Sequence, residues 1–227
     1  MNILNYIPLT LICLLLSLLV GCQHKHKSKP LLVTSEQIQN LSEQDILAIS
    51  EKACIEVDKL AMIPDYHHTL SQRLSSIAQT LPKTVNDIEL NYKVYLDSEP
   101  NAWSTANGCI RVNSGLIKLL SDNELQAVLA HEQAHIALKH TVSSFQQAPY
   151  IEITNKANET VIIMKEEVAQ QYEIEADNYA LALLKEAGID PTGLINMLVK
   201  IPIHSTEYPT SHPSTLRRIN NILQKLN

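Results

Sequence analysis

Large aromatic residues are scarce. One Phe and one Trp stand among many Leu, Ile, Val and Ala, a balance that suits a mainly helical domain and not an aromatic-rich β sandwich. A broad basic surface is also missing. The formal charge is −6 with both signs interleaved along the chain, so nothing attracts a phosphate backbone and no nucleic-acid partner is expected. No internal repeat recurs at a fixed period. At 227 residues there is room for one sizeable core with a small appendage, and two large domains are not expected.

The one concentrated apolar run is at the start. Ile12 to Val20 is almost wholly apolar and ends at Leu19-Val20-Gly21-Cys22. It is too short for a comfortable transmembrane span, which needs about 20 apolar residues, and it stops at small residues as an export signal does. That tetrapeptide is similar to a bacterial lipobox, which implies that residues 1–21 are a lipoprotein signal peptide and that Cys22 carries lipid. No Lys or Arg precedes the run, and an uncleaved amino-terminal anchor is the alternative. Either way the domain is tethered outside the cytoplasm. Residues 22–34 are polar and basic up to Pro30 and read as a flexible tether. Residues 35–227 read as a single domain.

With Cys13 leaving and Cys22 lipidated, Cys54 and Cys109 remain. In an oxidising compartment such a pair is a candidate disulfide, and closing so long a loop would stabilise the fold by roughly 2–4 kcal/mol. Two buried free thiols are the alternative.

Apolar spacing predicts packing helices over Ser35 to Met62 and Asp65 to Leu81, with His67 and His68 as surface or cap residues. Between Leu90 and Val112 the pattern shortens to alternating runs around Tyr92, Val94, Leu96, Trp103, Ile110 and Val112. With Asn107-Gly108 as a tight turn, this predicts a small antiparallel sheet. Ser121-Asp122-Asn123-Glu124 has the form of a capping box opening a helix from Asp122 to about His140. After a weakly patterned stretch to about Asn158, a second long helix should reach Ala187 and stop at Gly188. Asp190-Pro191 restarts a short helix. A loop from Ile201 to His212 precedes a final helix opened by Pro213.

The first long helix contains His131-Glu132-Gln133-Ala134-His135. Residues four apart share a helix face, so His131 and His135 aim both imidazoles at one point, while Glu132 lies beside them within reach of a water. That is a zinc half-site with a candidate general base. A catalytic zinc keeps three protein ligands and an open position, and Tyr172-Glu173-Ile174-Glu175-Ala176-Asp177 supplies candidates on the second long helix. Glu173 would ligate; Asp177, four residues on, would hydrogen-bond a histidine ring and fix its tautomer; Glu175 should point away. A charged solvent face is the alternative for Glu173 and Asp177.

These residues together resemble the gluzincin metallopeptidases related to HtpX, the Oma-type proteases and the CAAX prenyl proteases, and among them the exported bacterial lipoproteins. Further similar stretches are Asn101-Ala102-Trp103, Asn107-Gly108-Cys109-Ile110-Arg111-Val112, Ser114-Gly115-Leu116, His212-Pro213 and Arg218-Ile219. The resemblance covers about Leu90 to Ile219. It implies a mainly α (α+β), zincin-like helical domain with a small antiparallel sheet carrying the active-site edge strand, and one Zn2+ per chain. Asn101, Ala102 and Trp103 would bind extended polypeptide by backbone pairing. Arg218, with His212 as a second candidate, would face the substrate carbonyl oxygen; a helix-start turn without chemistry is the alternative for His212-Pro213. No long apolar helix separates His135 from Glu173, so the membrane-embedded plan of HtpX is not expected. The function implied is a zinc endopeptidase that hydrolyses misfolded or misassembled envelope proteins and works near the outer-membrane assembly machinery. Gln23 after the lipid Cys favours the outer membrane, periplasmic face. The alternatives are a periplasmic chaperone for outer-membrane proteins that rarely cuts, and a lipoprotein whose zinc is only structural.

Overall fold

The computed structural model describes residues 31–34, 40–148, 150–153, 160–162, 165–201 and 215–226. The expected signal peptide 1–21, the lipidation candidate Cys22, and the loop with His212-Pro213 lie outside the described residues. Of the expected tether, Leu31–Thr34 is strand β1, as its β-branched and apolar residues allow.

Helix α1 (Glu43–Leu60) opens on a capping box in which Ser42 Oγ accepts from Asp45 N and the Asp45 carboxylate accepts from Ser42 N. Helix α2 (Thr69–Ala78) is capped by His68, whose Nδ1 accepts from Leu70 N at 3.2 Å. Strands β2 (Thr84–Val85) and β3 (Ile88–Glu89) form a two-residue hairpin. Asn86 and Asp87 at its tip hold φ of 50° and 63°, the pair of left-handed conformations that such a turn demands.

The sheet that frames the site contains β4 (Asn91–Tyr95), β5 (Ala102–Ser104) and β6 (Cys109–Asn113), in the order β4-β6-β5. β5 and β6 are antiparallel, with Ala102 opposite Val112 and Ser104 opposite Ile110. Their turn closes through Gly108 N to Thr105 O, and Gly108 has φ of +88° with Glu89 O where a Cβ would be; only glycine fits there. The expectation of an all-antiparallel sheet is corrected on the other side, where β4 runs parallel to β6. The reason is the route from β4 to β6, which detours through β5 and so re-enters the sheet in the starting direction.

Every residue of β6 is buried. Helix α3 (Ser114–Leu119) follows it directly, and α4 (Asp122–Ala137) begins at a second capping box, with Ser121 N donating to Glu124 Oε2 at 2.7 Å. α4 runs through the middle of the molecule. Leu125, Ala127, Leu129, Ala130, Gln133 and Ala134 are fully buried, and partners lie on several sides: α2, β5, α5 (His140–Gln147), α6 (Glu166–Glu186) and α7 (Gly193–Lys200). Apolar residues all round an α-helix are the mark of a core helix and not of a surface one.

α4 ends at Ala137, three residues before the expected boundary at about His140. Lys139 adopts a left-handed conformation, φ 55° and ψ 34°, which stops the helix and turns His140 back toward it. The stretch read as weakly patterned contains α5 and β7 (Tyr150–Ile153), which pairs with β1 and with β8 (Thr160–Ile162). The second long helix accordingly starts later than predicted, at Glu166. Helix α8 (Thr215–Leu226) closes the chain against α6 and α7. Among the described residues no helix is long and apolar enough to cross a membrane.

α1 is fixed to the sheet from outside. Cys54 on α1 is bonded to Cys109 on β6, 55 residues apart in sequence. Arg111, 2% exposed, donates from Nε and Nη2 to the two carboxylate oxygens of Asp58 at 2.8 and 2.9 Å, and Lys93 and Tyr95 also bond that carboxylate. Burial opposes ionisation of Asp58, but the bonds from Arg111, Lys93 and Tyr95 outweigh it and hold the carboxyl well below its usual range.

Candidate metal and active site

α4 and α6 pack side by side, and their facing surfaces carry the polar groups. His131 and Glu173 are 4% and 2% exposed and Asp177 is fully buried; charged groups that deep persist only when paired. His131 Nε2 lies 3.1 Å from His135 Nε2 and 3.2 Å from Glu173 Oε2, and His135 Nε2 lies 3.4 Å from Glu173 Oε1. One donor atom from each of the three residues lies within 4.8 Å of the others. Ligands 2.0–2.1 Å from a tetrahedral zinc are separated by about 3.3 Å. The separation of the two ring nitrogens is close to that edge length, each ring nitrogen has a different Glu173 oxygen at a similar distance, and two imidazoles with one carboxylate are a donor set that zinc accepts.

The groups behind the donors orient them. Asp177 Oδ1 is 3.1 Å from His131 Nδ1, so an Nδ1 proton goes to Asp177 and Nε2 is the ring atom left facing the donor cluster. Arg218, from α8, donates from Nε and Nη2 to Asp177 at 2.7 and 2.6 Å and lies 3.1 Å from Glu173 Oε2. Burial raises the cost of ionising Asp177, but the bonds from Arg218 and His131 hold its carboxyl below the usual range. Burial likewise disfavours the charged form of His131, yet the Glu173 carboxylate and the bonds to Asp177 and Glu173 raise it to about 9 in the metal-free protein. A cation entering the cluster therefore displaces a proton held there by electrostatics.

Glu132 sits beside this cluster and is 6% exposed. Its Oε2 accepts a hydrogen bond from Ser104 Oγ at 2.7 Å. Ser104 is the last residue of β5, so the edge strand and the candidate base are connected directly. The outer side of β5 has no strand partner among the described residues.

A sequence profile of Peptidase family M48 matches residues 68–226. The chain belongs to peptidase family M48. Metalloprotease LoiP of Escherichia coli K12 is 31% identical over 233 residues, covering 92% of each chain. Metalloprotease YcaL of the same organism is 29% identical over 236 residues, covering 92% of this chain and 93% of YcaL. The beta-barrel assembly-enhancing protease of Yersinia pestis is 23% identical over 177 residues, 66% of this chain and 36% of that one. The protein is thus an M48 metallopeptidase with a mainly helical, zincin-like domain and a small sheet.

In this M48 domain His131, His135 and Glu173 come together, Glu132 and Asp177 adjoin them, and Ala102 and Trp103 lie on β5, with Asn101 just before it accepting from Asn113 N at 2.9 Å. Arg218 is held by Asp177 behind the ligand cluster and by Glu173 within it. His212 lies outside the described residues. Glu175, expected to point away, is 3.2 Å from His140 Nε2, and His140 Nδ1 is 3.0 Å from His135 Nδ1. Sequence reasoning missed Ser104 and His140. The signal for His140 was a histidine five residues after His135; that it folds back depends on the left-handed Lys139, which no periodicity reveals.

Proposed function

We propose that this M48 metallopeptidase is a zinc-dependent endopeptidase, held at the bacterial envelope by lipid on Cys22, that hydrolyses misfolded or misassembled envelope polypeptides. The observation that carries the reading is the convergence of His131 Nε2, His135 Nε2 and a Glu173 oxygen, with Glu132 alongside. A zinc ion there would acidify water and polarise a peptide carbonyl. Glu132 Oε2 takes the proton from the attacking water and delivers it to the leaving nitrogen, while Ser104 Oγ keeps the carboxylate oriented. Arg218 neutralises Asp177 and Glu173 and so acts through them; this replaces direct contact with the carbonyl oxygen. Asn101, Ala102 and Trp103 lie at the open edge of the sheet, where an extended chain pairs through its backbone with little demand on side chains.

The envelope setting is supported by the lipobox-like Leu19-Val20-Gly21-Cys22, by Gln23 as an outer-membrane signal, and by similarity to a protease named for β-barrel assembly. A chaperone that seldom cuts would not need a buried carboxylate hydrogen-bonded beside the donor cluster, and Glu132 therefore favours hydrolysis.

Casein digestion tests the reading. Wild type with about one zinc per chain should degrade casein, Glu132→Gln should keep zinc and lose at least about a hundredfold in rate, and Glu173→Ala should lose the metal. Equal cleavage by wild type and Glu132→Gln, or none by zinc-loaded wild type, would remove the peptidase assignment.

A further inference from the structure

His140 is buried, and its ring is stacked on Tyr172 with centroids 4.4 Å apart and planes 9° apart. Its Nδ1 meets His135 Nδ1 at 3.0 Å, and its Nε2 meets Glu175 Oε2 at 3.2 Å. The other Glu175 oxygen accepts from Gln171 Nε2 at 2.8 Å. In an imidazole, Nδ1 and Nε2 occupy different edges of the ring. His135 turns Nε2 toward His131 and Glu173, so His140 stands behind His135 and is not a fourth member of the donor cluster.

The protons along this chain have one consistent arrangement. If His135 Nε2 keeps its lone pair for a metal, its proton is on Nδ1 and must be donated. Among the described residues the partner at that atom is His140 Nδ1, which then accepts. A neutral His140 accepting at Nδ1 carries its proton on Nε2, and the Glu175 carboxylate receives it. Every polar atom in the row is satisfied. Reversing any one proton puts two donors or two lone pairs face to face.

We propose that His140 and Glu175 are positioning residues that lock His135 in its Nδ1–H tautomer and thereby hold Nε2 in place for the metal. They would do for His135 what Asp177 does for His131, with a neutral ring inserted between the ligand and its carboxylate. The inference rests on the zinc reading above. A competing account makes His140 only a packing residue between α4, α5 and α6, and the stack on Tyr172 is compatible with it.

The two accounts separate in metal affinity and not in rate. Full-length protein in detergent is titrated with zinc against a chromogenic chelator, thermal unfolding of the metal-free form checks the fold, and long-range 1H–15N spectra report the imidazole tautomers. His140→Leu should weaken zinc binding by about 10–100-fold. His140→Asn places an amide oxygen where Nδ1 was, so affinity should return to within about threefold of wild type. Glu175→Ala, on a half-exposed side chain, should weaken binding by about fivefold, below the full loss expected when a ligand's direct partner is removed. Wild-type affinity in His140→Leu overturns the proposal, as does equal weakening in His140→Leu and His140→Asn with unchanged melting. Should His140→Leu fail to fold, Glu175→Ala decides: unchanged affinity with an unchanged His135 tautomer overturns the proposal. If wild type itself takes up no zinc, the peptidase reading fails and this inference with it. Zinc in wild type with no effect of the substitutions defeats the positioning role alone.

Discussion

Ser104 and Glu132 are 28 residues apart and meet through a 2.7 Å hydrogen bond, so the orientation of the candidate base depends on the strand that would hold substrate. A hydrogen bond to a charged group contributes about 1.5 kcal/mol or more, which is about a tenfold effect if it is realised in the transition state. Ser104→Ala should therefore lower kcat on a quenched peptide by about tenfold with zinc content unchanged. An unaltered kcat would mean that Glu132 is held by its burial alone. Arg218 has a different sensitivity. Its guanidinium faces the two buried carboxylates Asp177 and Glu173, and a substitution there removes their shared counter-charge, leaving them only the histidines and whatever metal the cluster holds.

At the scale of elements, α1 is attached to β6 by a covalent link and by a buried ion pair. The Cys54–Cys109 bond closes a long loop, and Cys54→Ser with Cys109→Ser should cost about 2–4 kcal/mol, read as a lower urea midpoint. Mass spectrometry of the unreduced wild type should find neither thiol free. For Asp58 the sign follows from its lowered folded-state pKa. The contribution is present above the ordinary carboxylate range and is lost as pH falls below that range through the folded value. Asp58→Asn leaves Arg111 buried without its counter-charge and should cost about 3 kcal/mol at neutral pH. The gap from wild type should narrow on acidification, measured by urea unfolding at a series of pH values. A gap independent of pH would show that the charge is not what stabilises the pair.

For the whole molecule, α4 places the histidines in the centre of the core while β5 brings the open sheet edge to the same spot. The site's access thus lies along a strand, and under the proposed lipid anchor the tether would decide which polypeptides reach it. Cys22→Ala should move the protein from the membrane fraction to the soluble fraction while leaving casein cleavage by the purified chain within about twofold, because the lipid sets location and not chemistry. Continued membrane retention would point to the uncleaved amino-terminal anchor.

Several features were legible in the residues alone because they depend on local spacing. His131, Glu132 and His135 share a helix face by the period of the helix, Ser121 and Glu124 announce where that helix begins, and Glu173 with Asp177 repeats the four-residue spacing on the facing helix. The two-residue tip at Asn86-Asp87 and the parallel pairing of β4 with β6 were not legible, since strand direction is set by the route of the chain and not by alternation. Arg218 was visible as a candidate, but its partners were not: they come from α6, 41 residues away from it at Asp177. The same holds for Ser104 beside Glu132 and for His140 between His135 and Glu175. The sequence by itself determined the donor types, their helical spacing and the chemistry they permit. Only the tertiary structure decided which groups stand behind each donor, because that depends on helix crossing and on one left-handed residue at Lys139, and neither has a periodic signature.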